Sequence, residues 1–309
     1  MFTVRQMRYF DALATTLHFR KAAEMAHVSQ PALSAQIAEM EKTIGAQLFE
    51  RTQRSVVLSE MGQRLLPRIR SILREIRSLE EIAAQKRGVL QARMRLGIIP
   101  TIAPYLVPVL IPKLREHYPV LKMELKEAVT SKLIENLRIG ELDAIVAALP
   151  IEDDMLTVEP VFHDRFLIAT SANDNDVLSS PMTQDNVAVE RLLLLEEGHC
   201  LRDQALAVCS ATKQRQLVNY GATSMATLLQ MVSHGMGLTL IPEIAVRAEA
   251  GHMKMRIIPF AGTEPRREIG LIWRRQSERQ DDFRTLAQCI AESAATLRLG
   301  QEELAELRK

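Results

Sequence analysis

Cysteine is scarce in this chain: three residues in 309. That excludes a disulfide-stapled scaffold and suits a reducing compartment, where any disulfide is transient. Long apolar runs are missing too, and none approaches the roughly 20 residues needed to span a bilayer. The first residues place Arg5, Arg8 and Asp11 close together and offer no apolar core of a secretion signal. The cytoplasm is the expected location, with no membrane partner. No Cys-x-x-Cys pair or paired-histidine spacing marks a metal site, and His199-Cys200 is the one His-Cys adjacency. A Gly-x-Gly-x-x-Gly turn and a phosphate-binding loop are both absent. Neither metal nor cofactor is expected.

Net charge is also small, at +1, but it is unevenly spread. Residues 1–90 hold 14 basic and 9 acidic side chains, net +5, and the remainder is net −4. A basic N-terminal piece joined to an acidic body points toward nucleic acid. With 47% hydrophobic residues the chain can bury real cores, and its length fits two or three domains.

Two of the three cysteines fall in one stretch, Glu197 to Cys209. Cys200 sits among His199, Arg202 and Asp203, whereas Cys209 sits among small apolar residues. Gly198 reads as a break, and Cys200 to Cys209 as a helix with Leu201, Ala205, Leu206, Val208 and Cys209 available to a core. Cys200 would then lie in the first turn, where free N–H groups and the dipole favour an anion. A nearby cation or a helix N-terminus is what makes a thiol reactive. Nine residues of continuous helix span about 13 Å, and a disulfide needs Cα atoms roughly 4.4–6.8 Å apart. A bond between these two cysteines would therefore melt the helix. The plainer reading is that both are inert core residues, since free cysteine is often buried.

Residues 1–59 read as a compact helical unit. Met7, Phe10, Leu13, Ala14 and Leu17 recur at helical spacing. His18 to Ala26 follows as a short helix, and His27-Val28 as a tight turn. Ser29 is a natural N-cap and Pro31 fits the first turn of the next helix. That helix has Ala32, Leu33, Ile37 and Met40 on its apolar face and Ser34, Gln36 and Glu39 on the other. Two short helices about a tight turn form a helix-turn-helix, whose second helix can enter the major groove. Arg20, Ser29, Gln30, Pro31, Ser34 and Gln36 are the candidate contacts there. Leu48 to Leu58 reads as a hairpin with Arg51, Thr52 and Arg54 near its tip, a wing for backbone or minor groove. Singly, each piece is equally a packed helix pair or a solvated face.

The ordered combination is more specific. Phe19-Arg20-Lys21-Ala22-Ala23, Val28-Ser29-Gln30-Pro31-Ala32-Leu33-Ser34 and Leu48-Phe49-Glu50-Arg51 together resemble the winged helix-turn-helix of the LysR-type transcriptional regulators. Residues 60–90 then carry Met61, Leu65, Leu66, Ile69, Ile72, Leu73, Ile76, Leu79 and Ile82 at 3–4 spacing, with Pro67 near the start. This is a long amphipathic helix. It could pack on its own domain, or pair with a second copy. The resemblance implies pairing, a linker helix that presents two wings to a pseudo-palindromic site.

From residue 91 strands and helices alternate, which argues an α/β sheet with crossovers. Met94–Ile99, Leu121–Leu125, Ala144–Leu149, Phe166–Ala169, Leu192–Leu195, Gln216–Tyr220, Leu238–Pro242, Ile257-Ile258 and Ile269–Trp273 read as strands. Tyr105–His117, a helix capped by Ser131, Ser224–His234 and Phe283–Leu297 read as helices. Cys289 sits between Leu286 and Ile290 and reads as structural. The body resembles the effector domain of the same regulators, an α/β fold like a small periplasmic binding protein. That implies subdomain I over about 91–162 and 268–309, and subdomain II over about 163–267. Ligands in such sheets sit beyond strand C-termini. Pro100-Thr101, Ala128-Val129-Thr130 and Gly198-His199-Cys200 would converge there.

The run Gly198-His199-Cys200-Leu201-Arg202-Asp203-Gln204-Ala205, followed by Cys209, is similar to the redox motif of the hydrogen-peroxide-sensing members of that family. Ile98-Ile99-Pro100-Thr101, Glu127-Ala128-Val129-Thr130, Ala222-Thr223-Ser224 and Glu264-Pro265-Arg266-Arg267 share the likeness. The resemblance implies that Cys200 is oxidised by peroxide to a sulfenic acid, which Cys209 resolves. It implies that Thr101, Thr130, His199, Arg202 and Asp203 order peroxide and tune the thiol. It implies an activator of antioxidant genes that binds double-stranded promoter DNA and RNA polymerase, as a homodimer assembling into a homotetramer. Two other readings stand beside it, a LysR-type regulator of a small metabolite and a thiol peroxidase. The expectation is a regulator, not an enzyme.

Overall fold

The computed structural model describes residues 2–51, 55–84, 88–174, 183, 191–208, 222–250, 253–300 and 303. It divides into two compact units, 1–86 and 87–309. In the first, α1 (Val4–Thr16) starts with a capping box: Thr3 Oγ1 accepts from Gln6 N, and Gln6 Oε1 accepts from Thr3 N. His18 caps α2 (Phe19–Met25), and His27 makes the following turn with φ of +54°. Ser29 caps α3 (Gln30–Ile44), which ends on Gly45 in the left-handed region. β1 (Phe49–Arg51) and β2 (Val56–Leu58) form an antiparallel wing. Glu41 of α3 ties the wing down by accepting from Leu48 N and Phe49 N.

These elements close over Phe10, Leu13, Leu33, Ile37, Met40, Leu48 and Phe49, with the Phe10 and Phe49 rings 5.3 Å apart. The long helix α4 (Glu60–Ala84) belongs to this unit. Its Ile69 and Leu73 enter the core, and Arg70 Nε donates to Asp11 Oδ1 of α1 at 2.7 Å. Ile72 and Leu79, from the same apolar stripe, stay exposed. The stripe thus serves its own domain with one edge, and Ile72 and Leu79 lie on the other.

The second unit is built on a mixed sheet. β3 (Arg93–Ile98), β4 (Lys122–Glu127) and β5 (Ala144–Ala148) are parallel, with β4 at the edge. The crossovers are α5 (Ala103–His117) and α6 (Thr130–Arg138). The long strand β6 (Leu156–Ser171) then passes from one half of the unit to the other. Its first part runs antiparallel to β9 (Arg266–Arg274), which also pairs with β5. Its last six residues pair with β7 (Thr239–Pro242) and β8 (Met255–Pro259). Around them lie α7 (Cys200–Val208), α8 (Met225–Ser233), α9 (Glu243–Glu249) and α10 (Gln280–Ala295). Trp273 stacks on Phe283 and donates its indole N–H to Gln280, locking α10 on the sheet.

Three expectations from the sequence need correction. Leu192–Leu195 is buried but makes only isolated parallel bridges, Leu192 to Leu238 and Leu195 to Ala222. Four leucines packed into a core look like a strand even where the ladder is broken. Ser131 does not cap α6: that helix begins at Thr130, after Val129, with no side-chain cap. The strand expected at Phe166–Ala169 is one end of the 16-residue β6, whose first part carries no clean alternation and has Pro160 at a bulge. The strand expected at Gln216–Tyr220 lies outside the described residues.

Candidate functional site

In the N-terminal unit, Gln30 and Pro31 are exposed at the start of α3, and Ser34 and Gln36 are half-buried. Ser29 turns its hydroxyl inward to accept from Ala32 N at 3.4 Å. It is a helix cap, and Ser29→Ala is expected to cost this unit about 1 kcal/mol, read from its urea midpoint. Arg20 is exposed and pairs with Glu24 at 3.1 Å, a contact that DNA phosphate would have to displace. Arg51 closes β1, but its side chain, like Thr52 and Arg54, lies outside the described residues. Ala32, expected on the apolar face of α3 with Leu33, Ile37 and Met40, is instead exposed because it lies one residue off the buried stripe, and Ala35 is exposed with it.

In the C-terminal unit, a cavity of about 210 Å³ opens beyond the end of β3. Thr101, Tyr105, Glu127, His199, Ser224 and Glu249 are among its lining. Thr101 follows the apolar run of β3 and is buried, and His199 precedes α7 on a turn made by Gly198, φ +93°. Ser224 caps α8 by accepting from Thr227 N. Tyr105 donates to Glu249 Oε1 at 2.9 Å. Burial, and next the Glu249 charge, hold its phenol well above the usual range.

Cys200 is a free, half-buried thiol at the first position of α7, adjoining His199. Thr130 begins α6 with its Oγ1 buried and without a partner among the described residues. Arg202 turns back to donate from Nη1 to the Leu195 carbonyl at 3.1 Å, and Asp203 faces solvent in the first turn of α7. Thr101 and His199 are thus brought to one cavity, while Cys200, Thr130, Arg202 and Asp203 are not among its lining. Cys209 lies outside the described residues. Cys289 is buried on α10, and burial followed by the Glu292 charge pushes its thiol up.

Behind Thr101 lies a buried ion pair. Arg267 Nε and Nη2 donate to Asp164 Oδ2 at 3.0 and 2.9 Å, and Arg267 Nη1 donates to Thr101 Oγ1 at 2.9 Å. The second carboxylate oxygen, Oδ1, accepts from Ile244 N at the start of α9. Burial pushes the Asp164 carboxyl upward, against the pull of Arg267 and the Ile244 amide. Both side chains are almost wholly enclosed. A hydroxyl has one proton and two lone pairs. With Arg267 donating to Thr101, the Thr101 proton is left for another acceptor. The signal in sequence was a charge at an inward position of a strand: Arg266 is exposed, Arg267 buried, Ile269 buried.

A winged helix-turn-helix joined to an α/β ligand-binding unit with a pocket beyond its strand ends defines a bacterial ligand-responsive transcriptional regulator. The chain belongs to the LysR family: "Bacterial regulatory helix-turn-helix protein, lysR family" matches residues 4–63, and "LysR substrate binding domain" matches residues 87–295. Within it the chain is similar to the DNA-binding transcriptional dual regulator OxyR of Escherichia coli (strain K12), 38% identical over 93% of this chain and 94% of that protein. A probable hydrogen peroxide-inducible genes activator of Mycobacterium avium is 39% identical over 94% of each. Among solved structures, full-length OxyR from Pseudomonas aeruginosa, a cysteine-to-aspartate variant, superposes with a TM-score of 0.79 at 31% identity, covering 97% of this chain and 99% of that one. A cysteine-to-serine mutant of OxyR from Corynebacterium glutamicum, H2O2-bound, gives 0.64 at 31% identity, covering 99% and 94%.

Proposed function

We propose that this LysR-family regulator senses hydrogen peroxide through Cys200 and answers by changing how it holds promoter DNA. The observation that carries this reading is the placement of a free Cys200 at the head of α7, directly after His199, whose side chain lines the same cavity as the buried Thr101. The cavity has room for peroxide and several waters, each occupying about 30 Å³. Thr101 offers its hydroxyl proton there, and the unpartnered Thr130 Oγ1 is a further polar group seeking a ligand. The Cys200 thiolate attacks one peroxide oxygen. An S–O bond forms, the O–O bond breaks, and the leaving hydroxide takes up a proton to become water. Cys209 then displaces water from the sulfenic acid, giving the disulfide.

That second step drives the response. Along α7, Cys200 and Val208 are eight residues apart, about 12 Å. One further peptide step of about 3.8 Å cannot bring Cys209 within the roughly 4.4–6.8 Å a disulfide requires. Closing the bond unwinds α7 and frees the core positions of Leu201 and Ala205, both buried in the reduced form. His199, Arg202 and Asp203 move with it. The reaction is stoichiometric, a signal rather than turnover, so the chain is a regulator and not an enzyme.

The DNA face is α3, with Gln30, Pro31, Ser34 and Gln36, flanked by Arg20 and the wing residues Arg51, Thr52 and Arg54. The exposed Ile72 and Leu79 edge of α4 pairs with a second copy, so that a two-fold protein meets a two-fold site. Dimers assemble into tetramers and engage RNA polymerase in the cytoplasm to activate antioxidant genes. Among the described residues no helix is long and apolar enough to cross a membrane. The direct test is mass spectrometry of the reduced protein after brief exposure to stoichiometric hydrogen peroxide, with remaining thiols blocked. A Cys200–Cys209 disulfide with Cys289 still free is expected. If both Cys200 and Cys209 stay reduced under those conditions, the chain is a regulator of some other small ligand.

A further inference from the structure

We infer that Asp164 is a positioning residue for the peroxide reaction, acting through Arg267 to fix the Thr101 hydroxyl as a donor into the cavity. The inference rests on the peroxide reading above and deepens it. Asp164 is on β6 and Arg267 on β9, the two strands paired along the middle of the unit, at facing positions of the ladder. One carboxylate oxygen receives both Nε–H and Nη2–H of Arg267. That grip sets the plane of the guanidinium, and the third nitrogen, Nη1, is thereby aimed at Thr101 Oγ1. Arg267 Nη2 also reaches the Thr101 carbonyl at 3.3 Å, so the residue is held by backbone and side chain together.

The chemical consequence follows from counting donors. A free threonine hydroxyl rotates and can accept or donate with equal ease. Here an obligate donor fills one of its two lone pairs, and because a guanidinium has no lone pair to offer, the hydroxyl proton must turn away from Arg267. The Thr101 proton is left to meet an electron-rich oxygen in the cavity. In the attack of Cys200 on peroxide, negative charge develops on the departing oxygen, and a preorganised donor stabilises that charge without reorganising. Asp164 touches neither sulfur nor peroxide. Its part is to compensate the buried guanidinium and hold its angle, and its other oxygen secures the first turn of α9 through Ile244 N.

The test compares two reactions of Cys200 in the full-length reduced protein. Oxidation by hydrogen peroxide uses the leaving-group donor, whereas alkylation by iodoacetamide does not. Asp164→Asn is expected to slow the peroxide reaction about tenfold, the scale of one lost hydrogen bond to a charged group, with alkylation unchanged. Thr101→Val is expected to slow it equally, and the double variant to be no slower than Thr101→Val alone. Asp164→Glu, which keeps the carboxylate, is expected to restore most of the rate. Peroxide oxidation of Asp164→Asn at the wild-type rate overturns the inference, as do effects of Asp164→Asn and Thr101→Val that multiply. If the stranded guanidinium unfolds Asp164→Asn, the neutral pair Asp164→Asn/Arg267→Gln carries the same test. It should be as slow as Thr101→Val, and wild-type speed would count against Asp164. A wild-type Cys200 no faster with peroxide than Cys289 would sink the sensor reading itself, an outcome distinct from any behaviour of Asp164.

Discussion

Arg267→Ala is expected to lower the stability of the C-terminal unit by about 3–5 kcal/mol, the range for removing one partner of a buried ion pair. The side chains of Arg267 and Asp164 are 1% and 2% exposed. Removing the guanidinium strands the Asp164 carboxylate with only the Ile244 amide for company, and takes the donor from Thr101. Phe166 also loses the cation whose carbon lies 5.8 Å from its ring centroid. Urea unfolding followed by far-ultraviolet circular dichroism measures the loss. A double replacement, Asp164→Leu with Arg267→Met, is expected to recover most of it, because the cost lies in the unpaired charge rather than in the lost attraction. If Arg267→Ala moved the free energy by less than 1 kcal/mol, solvent would have to reach Asp164, and the pair would not be the dry junction its burial implies.

That junction also shows where sequence reading stops. The apolar runs of β3 and β5, the cap at Ser29, and the helix opening at Cys200 are local patterns, and each is legible from neighbouring residues alone. Asp164 and Arg267 are 103 positions apart. Their meeting depends on β6 and β9 pairing in one register, which no local spacing encodes. The same holds for the cavity. Thr101 and His199 could be expected to meet because each follows a buried run in an alternating fold. Tyr105, Glu127 and Glu249 join the cavity wall from α5, β4 and α9, a meeting that depends on how those elements pack. The reverse error is Leu192–Leu195, where burial was legible but the hydrogen-bond ladder was not. Thr130 is a finer case: α6 was expected to start two residues later, at Lys132 behind a Ser131 cap, whereas Thr130 itself opens the helix with its Oγ1 buried and without a partner among the described residues.

Cys200→Ser is expected to abolish the peroxide response outright. A serine hydroxyl stays protonated at neutral pH and does not attack peroxide, so no sulfenic acid forms and α7 has no reason to unwind. Cys209→Ser separates the two steps. It leaves Cys200 able to reach the sulfenic acid, trapped by dimedone, but without the disulfide that forces α7 apart. Cys289→Ser should change neither, because that thiol is enclosed on α10 and its burial disfavours the thiolate. Footprinting of the full-length protein on a target promoter, with and without peroxide, reads the outcome. Wild type and Cys289→Ser should change their footprint, and Cys200→Ser should keep the reduced one at every peroxide dose. If Cys209→Ser still changed its footprint, oxidation of Cys200 alone would be the switch, and the geometric demand of the disulfide on α7 would not drive it. If Cys200→Ser responded, the cavity beside His199 would be reporting a ligand by occupancy, and the regulator would belong with those LysR proteins that read a small molecule without chemistry.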